Sequence, residues 1–112
     1  MRNLSPLDYL AEPSRFLLVD VRSDEEWQAA HDERALHLPL IELSDRASSL
    51  PKDKPIALIC RTGGRSARAC EMLQDSGLEI YNLAGGMRAL VLAKKEKGLI
   101  SEKEFEQMMA RL

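Results

Sequence analysis

The chain has 112 residues, of which 45% are hydrophobic, and this length and composition are typical of one compact domain with its own apolar core. A formal net charge of −2 favours neither nucleic acid nor an anionic membrane as a partner, so any bound anion must meet a local group of cationic residues. The N-terminus lacks the pattern of a signal peptide, and no run approaches the roughly 18 apolar residues of a membrane-spanning helix, so we expect a soluble, cytoplasmic protein.

Apolar runs and helix-start signals alternate along the chain. Segments 16–21 (FLLVDV) and 56–60 (IALIC) are short and apolar at consecutive positions, as strands buried on both faces of a parallel sheet are. Segments 35–40 and 79–83 are weaker strand candidates. Three serines match the capping-box pattern of a helix start: Ser5 with Asp8, Ser23 with Glu26, and Ser101 with Glu104. Strands that alternate with helices predict an α/β fold with a parallel sheet.

A helix is predicted for residues 65–76, directly after the second strong strand. Ala69, Met72 and Leu73 share one face of this helix, which is typical of a face packed on the core. Gly77 follows where a left-handed C-terminal cap is favoured.

Three loops are expected to meet at one edge of the sheet, because ligands of parallel α/β sheets bind beyond the carboxyl ends of the strands. Cys60 lies at the end of one strong strand. Asp20 and Arg22 lie at the end of the other, and the pair Gly85 and Gly86 follows the last weak strand. We predict that the acid and the base orient neighbouring loops and that the two glycines form a tight turn beside the site.

The loop CRTGGRS, residues 60–66, carries the strongest chemical signal. It leads from a strand end into the predicted helix, so its backbone N–H groups can point inward and join the positive end of the helix dipole. We expect Gly63 and Gly64 to supply the backbone angles that such a ring of donors needs. Three cations and no acidic residue lie between Pro55 and Cys70, namely Arg61, Arg65 and Arg68. Such surroundings lower a thiol pKa from ~8.5 to roughly 3.5–7.5, which would make Cys60 a reactive thiolate.

The two cysteines are interpreted differently. Cysteine is often a small packing residue, and we prefer that interpretation for Cys70, which lies inside the predicted helix; a resolving thiol is the alternative. The glycines and arginines beside Cys60 have no use around a packing residue, so a nucleophilic role is predicted there. Arg61 and Arg65 could be solvated surface charges, but their place in the loop favours contact with the substrate.

Three blocks of the chain resemble the single-domain rhodanese, or thiosulfate sulfurtransferase, family over roughly residues 16–93. They are DVRSDEEW (20–27), CRTGGRS (60–66) and YNLAGGMRAL (81–90), in the family's order and at similar spacing. The resemblance implies a rhodanese-like three-layer α/β fold, in which a central, mainly parallel sheet of about five strands is flanked by helices. It also implies that Cys60, Arg61, Gly63 and Arg65 form a pattern associated with thiosulfate use.

The segment AHDERALHLPL, residues 30–40, departs from the family. It aligns without gaps with Gly-His-Ile-Pro-Gly-Ala-x-x-Ile-Pro-Leu, but two glycines, an isoleucine and a proline are replaced by Ala30, Asp32, Glu33 and Arg34. Losing both glycines removes backbone freedom, so we expect this connection to take another path. His31 is expected to be structural, and Leu90 stands where the family usually has a tryptophan.

The resemblance implies a ping-pong sulfur transfer. The Cys60 thiolate would attack the outer sulfur of thiosulfate, release sulfite and keep a persulfide inside a ring of N–H groups from Arg61 to Ser66. Arg61 and Arg65 would hold the sulfonate oxygens, and the Thr62 and Ser66 hydroxyls would assist. A second thiol or cyanide would then take the sulfur. No metal or organic cofactor is expected, because the sequence has no His or Cys cluster at ligand spacing.

Two other functions stay open. A phosphatase or arsenate reductase also places cysteine in a Gly/Arg loop, but its pattern resembles Cys-x5-Arg, whereas here Arg65 comes one residue sooner and Ser66 occupies the later position. A sulfur carrier or regulatory binding module would use the same loop with little turnover.

Residues 98–112 form a tail beyond a predicted rhodanese-like domain of residues 1–97. Apolar residues recur in it at mostly helical spacing, namely Leu99, Ile100, Phe105, Met108, Met109 and Leu112. We expect an amphipathic helix that either packs on the domain or mediates contact with a second copy or a partner protein. The other expected partners are a small sulfur-containing anion and a thiol acceptor.

Overall fold

The computed structural model describes residues 2–112 and contains a five-stranded sheet with parallel pairing throughout. The strands are β1 (Asn3–Leu4), β2 (Leu17–Asp20), β3 (Leu36–His37), β4 (Ile56–Ile59) and β5 (Ile80–Leu83). Their order in the sheet is β1-β5-β4-β2-β3, so the two strongest predicted strands, β2 and β4, lie side by side near its centre. The α/β fold predicted from the sequence is confirmed, and β1 is a short edge strand that no sequence pattern indicated.

Six helices flank the sheet. They are α1 (Pro6–Ala11), α2 (Asp24–Ala29), α3 (Leu43–Arg46), α4 (Gly64–Met72), α5 (Gly86–Glu96) and α6 (Glu102–Arg111), with short 3-10 turns at Pro13–Arg15, Leu40–Glu42 and Ala47–Ser49. Ser23 and Ser101 form complete capping boxes at the starts of α2 and α6, as predicted. At α1 the Ser5 hydroxyl accepts the Asp8 N–H at 3.1 Å.

The sheet separates two apolar clusters, because consecutive residues of its central strands point to opposite faces. Leu18 and Ala57 belong to the cluster beneath α1 and α5, together with Leu90. Val19 and Leu58 belong to the cluster beneath α3 and α4. The consecutive apolar positions of β2 and β4 therefore reflect burial on both faces, which is the reason the sequence pattern predicted them correctly.

Helix α4 is shorter than predicted, since it ends at Met72 instead of residue 76. Ala69 and Leu73 are buried as expected, but the prediction for Met72 is wrong, because this residue is 43% exposed. Gly77 has the predicted left-handed backbone angle, φ +80°. It lies four residues beyond Leu73, the C-cap of α4, so it does not cap this helix. Beyond Leu73 the chain forms a turn, in which the Ser76 N–H and the Ser76 hydroxyl donate to the Leu73 carbonyl at 3.0 and 2.6 Å.

Side-chain contacts of Asp32 and Arg22 hold the connection between α2 and β3, where the sequence departs from the family. The buried Asp32 carboxylate accepts the Arg34 N–H at 2.9 Å and pairs with the Lys94 ammonium of α5. The Ala30 carbonyl accepts an N–H of Arg22 at 2.7 Å. No non-glycine residue among those described has a positive φ, so this connection holds its shape without the glycines of the family pattern.

The C-terminal helix α6 lies on α5. Phe105, Met108, Met109 and Leu112 pack against the cluster beneath α5, and Lys95 pairs with Glu102 at 3.0 Å. Leu99, at the turn before α6, is 57% exposed. Association through residues 98–112 stays a prediction, which a size measurement in solution with and without those residues would test. Among the described helices, none has the length and apolar character needed to cross a membrane.

Candidate active site

Cys60 directly follows the last residue of β4, at the carboxyl edge of the sheet. The first turn of α5 reaches this point from the next strand, because the Met87 N–H donates to the Cys60 carbonyl at 2.8 Å and the Arg88 N–H donates to the Arg61 carbonyl at 3.2 Å. A peptide unit carries its C=O and its N–H on opposite sides. Since both carbonyls face α5, the N–H groups of Arg61 and Thr62 face away from it, and the Thr62 N–H is among the donors to the Cys60 sulfur.

Gly85 and Gly86 allow this approach. Both have positive φ, +76° and +64°, and a Cβ on Gly86 would lie 2.5 Å from the Cys60 carbonyl oxygen. A side chain at position 86 would therefore separate α5 from the loop. The tight turn predicted for this glycine pair is present, and at Gly86 its purpose is close contact between two backbones.

The two loop glycines differ from each other. Gly63 has φ +109°, which only glycine adopts readily, and it precedes the first residue of α4. Gly64 has an ordinary backbone angle and no atom within 4 Å of an added Cβ. The expectation that both glycines supply special angles is right for Gly63 and wrong for Gly64, because the loop makes its one unusual turn before the helix begins.

The Cys60 sulfur is surrounded by hydrogen-bond donors. The Gly63 N–H donates to Sγ at 3.1 Å, and the Ser66 hydroxyl lies 3.4 Å from it. Burial by itself raises the pKa of the Cys60 thiol, but hydrogen bonds from the Ser66 hydroxyl and from the backbone N–H groups of Ser66, Gly63 and Thr62 outweigh it. The net effect lowers the pKa of Cys60 below its ordinary value of 9.0. Thr62 thus contributes its backbone N–H, whereas the sequence also suggested its hydroxyl.

Asn82 supports this arrangement and was missed from the sequence. It is buried on β5, where its Oδ1 lies 2.5 Å from the Ser66 hydroxyl oxygen and its Nδ2 donates to the Gly63 carbonyl at 3.4 Å. Asn82 therefore ties the loop to the neighbouring strand and holds the Ser66 side chain in place. The available signal was a polar residue within an otherwise apolar strand pattern, two residues before the Ala84-Gly85-Gly86 turn.

Arg65 stands on the first turn of α4 and is paired with an acid that sequence reasoning did not connect to the site. Its two terminal nitrogens donate to the Glu26 carboxylate oxygens at 2.5 and 2.8 Å. Hydrogen bonding from Arg65 lowers the pKa of Glu26 to about 2, and the same pair raises the pKa of Arg65. Glu26 was recognised only as part of a capping box. Its position on α2 next to the loop is a result of tertiary structure.

The other two arginines of the loop region, Arg61 and Arg68, are exposed. Within residues 2–112 neither side chain has a carboxylate partner at ion-pair distance. Arg61 and Arg68 are therefore exposed charges, whereas Arg65 is already paired with Glu26.

Asp20 and Arg22 form a buried ion pair behind the loop. The Arg22 guanidinium donates to the Asp20 carboxylate at 2.8–3.0 Å. The Arg22 carbonyl in turn contacts the His37 ring at 2.8 Å. The pair holds the connection after β2, because the Arg22 guanidinium also donates to the Ala30 carbonyl at 2.7 Å. A role in orienting the loops beside Cys60 stays a prediction.

Trp27, on α2, stacks against two histidines. Its ring stacks on His31 and His37 with centroid distances of 3.7 and 4.7 Å. His31 also contacts the Trp27 carbonyl at 2.7 Å through Nδ1. The stack braces the helix that carries Glu26, which agrees with a structural part for His31.

Among the residues that the structure describes, no hydrogen-bond donor that would favour a thiolate contacts Cys70. Cys70 lies on α4 within the apolar cluster and is 6% exposed. Burial raises the pKa of Cys70 to about 11, so this thiol stays protonated at neutral pH. Among residues 2–112 no group of three or more His, Cys, Asp or Glu side chains is placed to hold a metal ion.

Comparison with known proteins gives a consistent family match. The sequence model of the rhodanese-like domain matches residues 6–93. A sulfurtransferase of Allochromatium vinosum is 38% identical over 81 residues, which cover 71% of this chain and 76% of the relative. A putative sulfur carrier protein of Bacillus subtilis, YrkF, is 36% identical over 72 residues, which cover 63% of this chain and 39% of that protein. The crystal structure of a rhodanese-related protein from Thermoplasma volcanium superposes with a TM-score of 0.79 at 29% identity, covering 83% of this chain and 93% of that one.

Proposed function

The chain belongs to the rhodanese-like domain family, and we propose that it is a sulfurtransferase that carries a sulfane sulfur on Cys60. The donor would be thiosulfate or a persulfide, and the acceptor a thiol or cyanide. The observation that supports this most directly is the environment of the Cys60 sulfur, which lies among backbone and hydroxyl donors that lower its pKa. A cysteine that served only for packing would not require these donors.

The first half-reaction uses the thiolate as nucleophile. Cys60 Sγ attacks the outer sulfur of thiosulfate, a new S–S bond forms, and the original S–S bond breaks with its electron pair leaving on sulfite. The terminal sulfur of the resulting persulfide carries the negative charge. Backbone N–H groups of the loop and the Ser66 hydroxyl would stabilise that charge, because they surround Cys60 Sγ, to which the terminal sulfur is bonded.

The second half-reaction returns the enzyme to its starting state. An acceptor thiolate attacks the terminal sulfur, the Cys60–S bond to that sulfur breaks, and Cys60 leaves as a thiolate. The same donors that stabilise the persulfide also make Cys60 a good leaving group, since they lower its pKa. A single set of loop contacts therefore serves both halves of the cycle.

Phosphatase or arsenate reductase chemistry is less favoured. Position 66 holds a serine, and Cys60 is 1% exposed, so the loop offers a narrow approach that fits one sulfur atom better than a phosphoryl group. A generic aryl phosphate provides the test. We expect no turnover above background, whereas appreciable turnover that disappears in Cys60→Ser would favour the phosphatase.

A sulfur carrier with little turnover is the second candidate, and the near-complete burial of Cys60 favours it. A large acceptor protein would have to present its thiol in an extended segment to reach that sulfur. The two functions separate when sulfite release is followed with excess thiosulfate and cyanide. Many turnovers per protein indicate an enzyme, and a single burst indicates a carrier.

Intact-mass analysis tests the sulfur-transfer function itself. After incubation with thiosulfate, or with a persulfide generated in solution, the protein should gain the mass of one sulfur atom. Cys70→Ser should gain the same mass, and Cys60→Ser should gain none. Loading that persists in Cys60→Ser, or that is absent from the native protein with either donor, would contradict the proposal.

A further inference from the structure

We propose that Glu26 determines which sulfur donors the loop accepts, by neutralising Arg65 and so disfavouring dianionic donors such as thiosulfate relative to persulfides of small thiols. The inference rests on the proposed sulfur transfer at Cys60. It concerns a residue that takes no part in the bond changes and acts through its ion pair with Arg65.

The ion pair between Glu26 and Arg65 neutralises the Arg65 guanidinium. Both terminal nitrogens of Arg65 donate to Glu26, one to each carboxylate oxygen, at 2.5 and 2.8 Å. A two-point contact of this kind fixes the plane of the guanidinium as well as its charge. A donor anion that approached Arg65 would have to compete with a carboxylate that is already bound.

Glu26 is itself held in place from α2. The Ser23 N–H donates to Glu26 Oε1 at 3.2 Å, and the Ser23 hydroxyl lies 3.1 Å from the same oxygen. The Glu26 side chain is only 30% exposed, and its pKa of about 2 keeps it charged at any physiological pH. Releasing Arg65 to a ligand would therefore break two hydrogen bonds to a charged carboxylate that stays fixed in place.

The remaining charges near the loop are unevenly distributed. Helix α2 presents three acidic residues in its first turn, Asp24, Glu25 and Glu26, on the element that pairs with the loop. Arg61 is exposed and has no carboxylate partner among the described residues. A dianionic donor thus meets an Arg65 that is already neutralised, beside an acidic helix end, and this arrangement suits a donor of lower charge.

The test compares two donors with different charge. Thiosulfate carries two negative charges and releases sulfite; the persulfide of 2-mercaptoethanol carries at most one and releases the 2-mercaptoethanol thiolate. The rate constant for sulfur loading of Cys60 is measured for each donor by quenched intact-mass analysis. The readout is the ratio of the two rate constants, which a general loss of stability would not change.

Glu26→Gln removes the charge and keeps the size of the side chain, and glutamine is also accepted at this position of a capping box. We expect the loading rate with thiosulfate to rise about fivefold, the upper range for one partly exposed charge pair, and the rate with the persulfide to change less than about twofold. Glu25→Gln is the matched control. It removes the same charge from the neighbouring, exposed position, which has no contact with Arg65, and should change both rates less than about twofold.

Arg65→Gln completes a double-mutant cycle with Glu26→Gln. If Glu26 acts through Arg65, the gain from Glu26→Gln disappears in the double variant Glu26→Gln/Arg65→Gln. Three results would overturn the inference: equal effects of Glu26→Gln on both donors, an equal gain from Glu25→Gln, or a gain that survives in the double variant. These outcomes differ from a failure of the proposed function, in which the native protein would take sulfur from neither donor.

Discussion

The two cysteines of this chain are both buried and belong to the same loop-helix segment, yet their thiols have opposite properties. Cys60 is 1% exposed and Cys70 6% exposed, and burial raises the pKa of each. At Cys60 the backbone and the Ser66 hydroxyl reverse that effect, whereas at Cys70 burial dominates. Burial alone therefore does not decide whether a cysteine is reactive; oriented hydrogen-bond donors do.

The largest expected effect lies in the backbone contact that shapes the loop around Cys60 and has no counterpart at Cys70. Gly86→Ala would place a Cβ 2.5 Å from the Cys60 carbonyl oxygen and 2.6 Å from the Arg61 carbonyl, at φ +64°. We expect a loss of about 3 kcal/mol or more in the free energy of unfolding, measured by urea denaturation, together with loss of sulfur loading.

Gly64→Ala is the control for this substitution. An added Cβ there has no neighbour within 4 Å and the backbone angle is ordinary, so stability should change by less than about 1 kcal/mol. Equal losses at the two positions would show that the contact between α5 and the loop is not the important feature.

Thiol alkylation compares the two cysteines directly. With iodoacetamide at pH 7, Cys60 should react at least about 100-fold faster than Cys70, because the rate follows the thiolate fraction. The pH midpoint of the rate should lie below 9.0 for Cys60 and near 11 for Cys70, with each site followed by peptide mass spectrometry. The midpoint does not depend on how easily the reagent reaches the sulfur. Coinciding midpoints would refute the difference in environment.

Ser66→Ala should make Cys60 behave more like Cys70. The hydroxyl lies 3.4 Å from Sγ, and its hydrogen bond lowers this pKa. Its removal should raise the alkylation midpoint of Cys60, and the loading rate at pH 7 should fall by roughly two- to tenfold, the contribution of one hydrogen bond. Thr62→Ala leaves the backbone N–H in place and should keep the midpoint unchanged. A shift of similar size in both variants would mean that the loop had simply loosened.

The smallest expected effect is on the free energy of unfolding and concerns the Glu26–Arg65 ion pair at the start of α4. The part of α4 around Cys70 has no such pair among the described residues. The pKa of Glu26 is lowered from 4.5 to about 2 in the folded chain, so the pair contributes fully above about pH 4.5 and its contribution is lost as the pH falls through about 2. The native protein should be more stable than Glu26→Gln by less than about 1 kcal/mol at pH 7, and the difference should shrink on acidification and vanish below about pH 2. Chemical denaturation at both pH values measures it, and a difference that grew on acidification would have the wrong sign.

Much of the fold was accessible from local sequence patterns. The strands β2 and β4 are apolar at consecutive positions, and Ser23 and Ser101 mark helix starts through contacts three residues away. Met72 was placed wrongly because the buried face of α4 runs through Ser66, Ala69, Cys70 and Leu73, and Met72 lies at its margin. The short strand β1 was missed because two residues are too few to form a periodic pattern.

What the sequence by itself determined is the chemistry that consecutive residues share: a thiol at a strand end, followed by a loop whose N–H groups join a helix start. What only the tertiary structure decided are contacts between distant segments. Glu26 and Arg65 are 39 positions apart, Ser66 and Asn82 are 16 apart, and Asp32 and Lys94 are 62 apart. Periodicity and capping report interactions within a few residues, whereas these pairs form only because the crossovers of a parallel sheet bring separate loops and helices together.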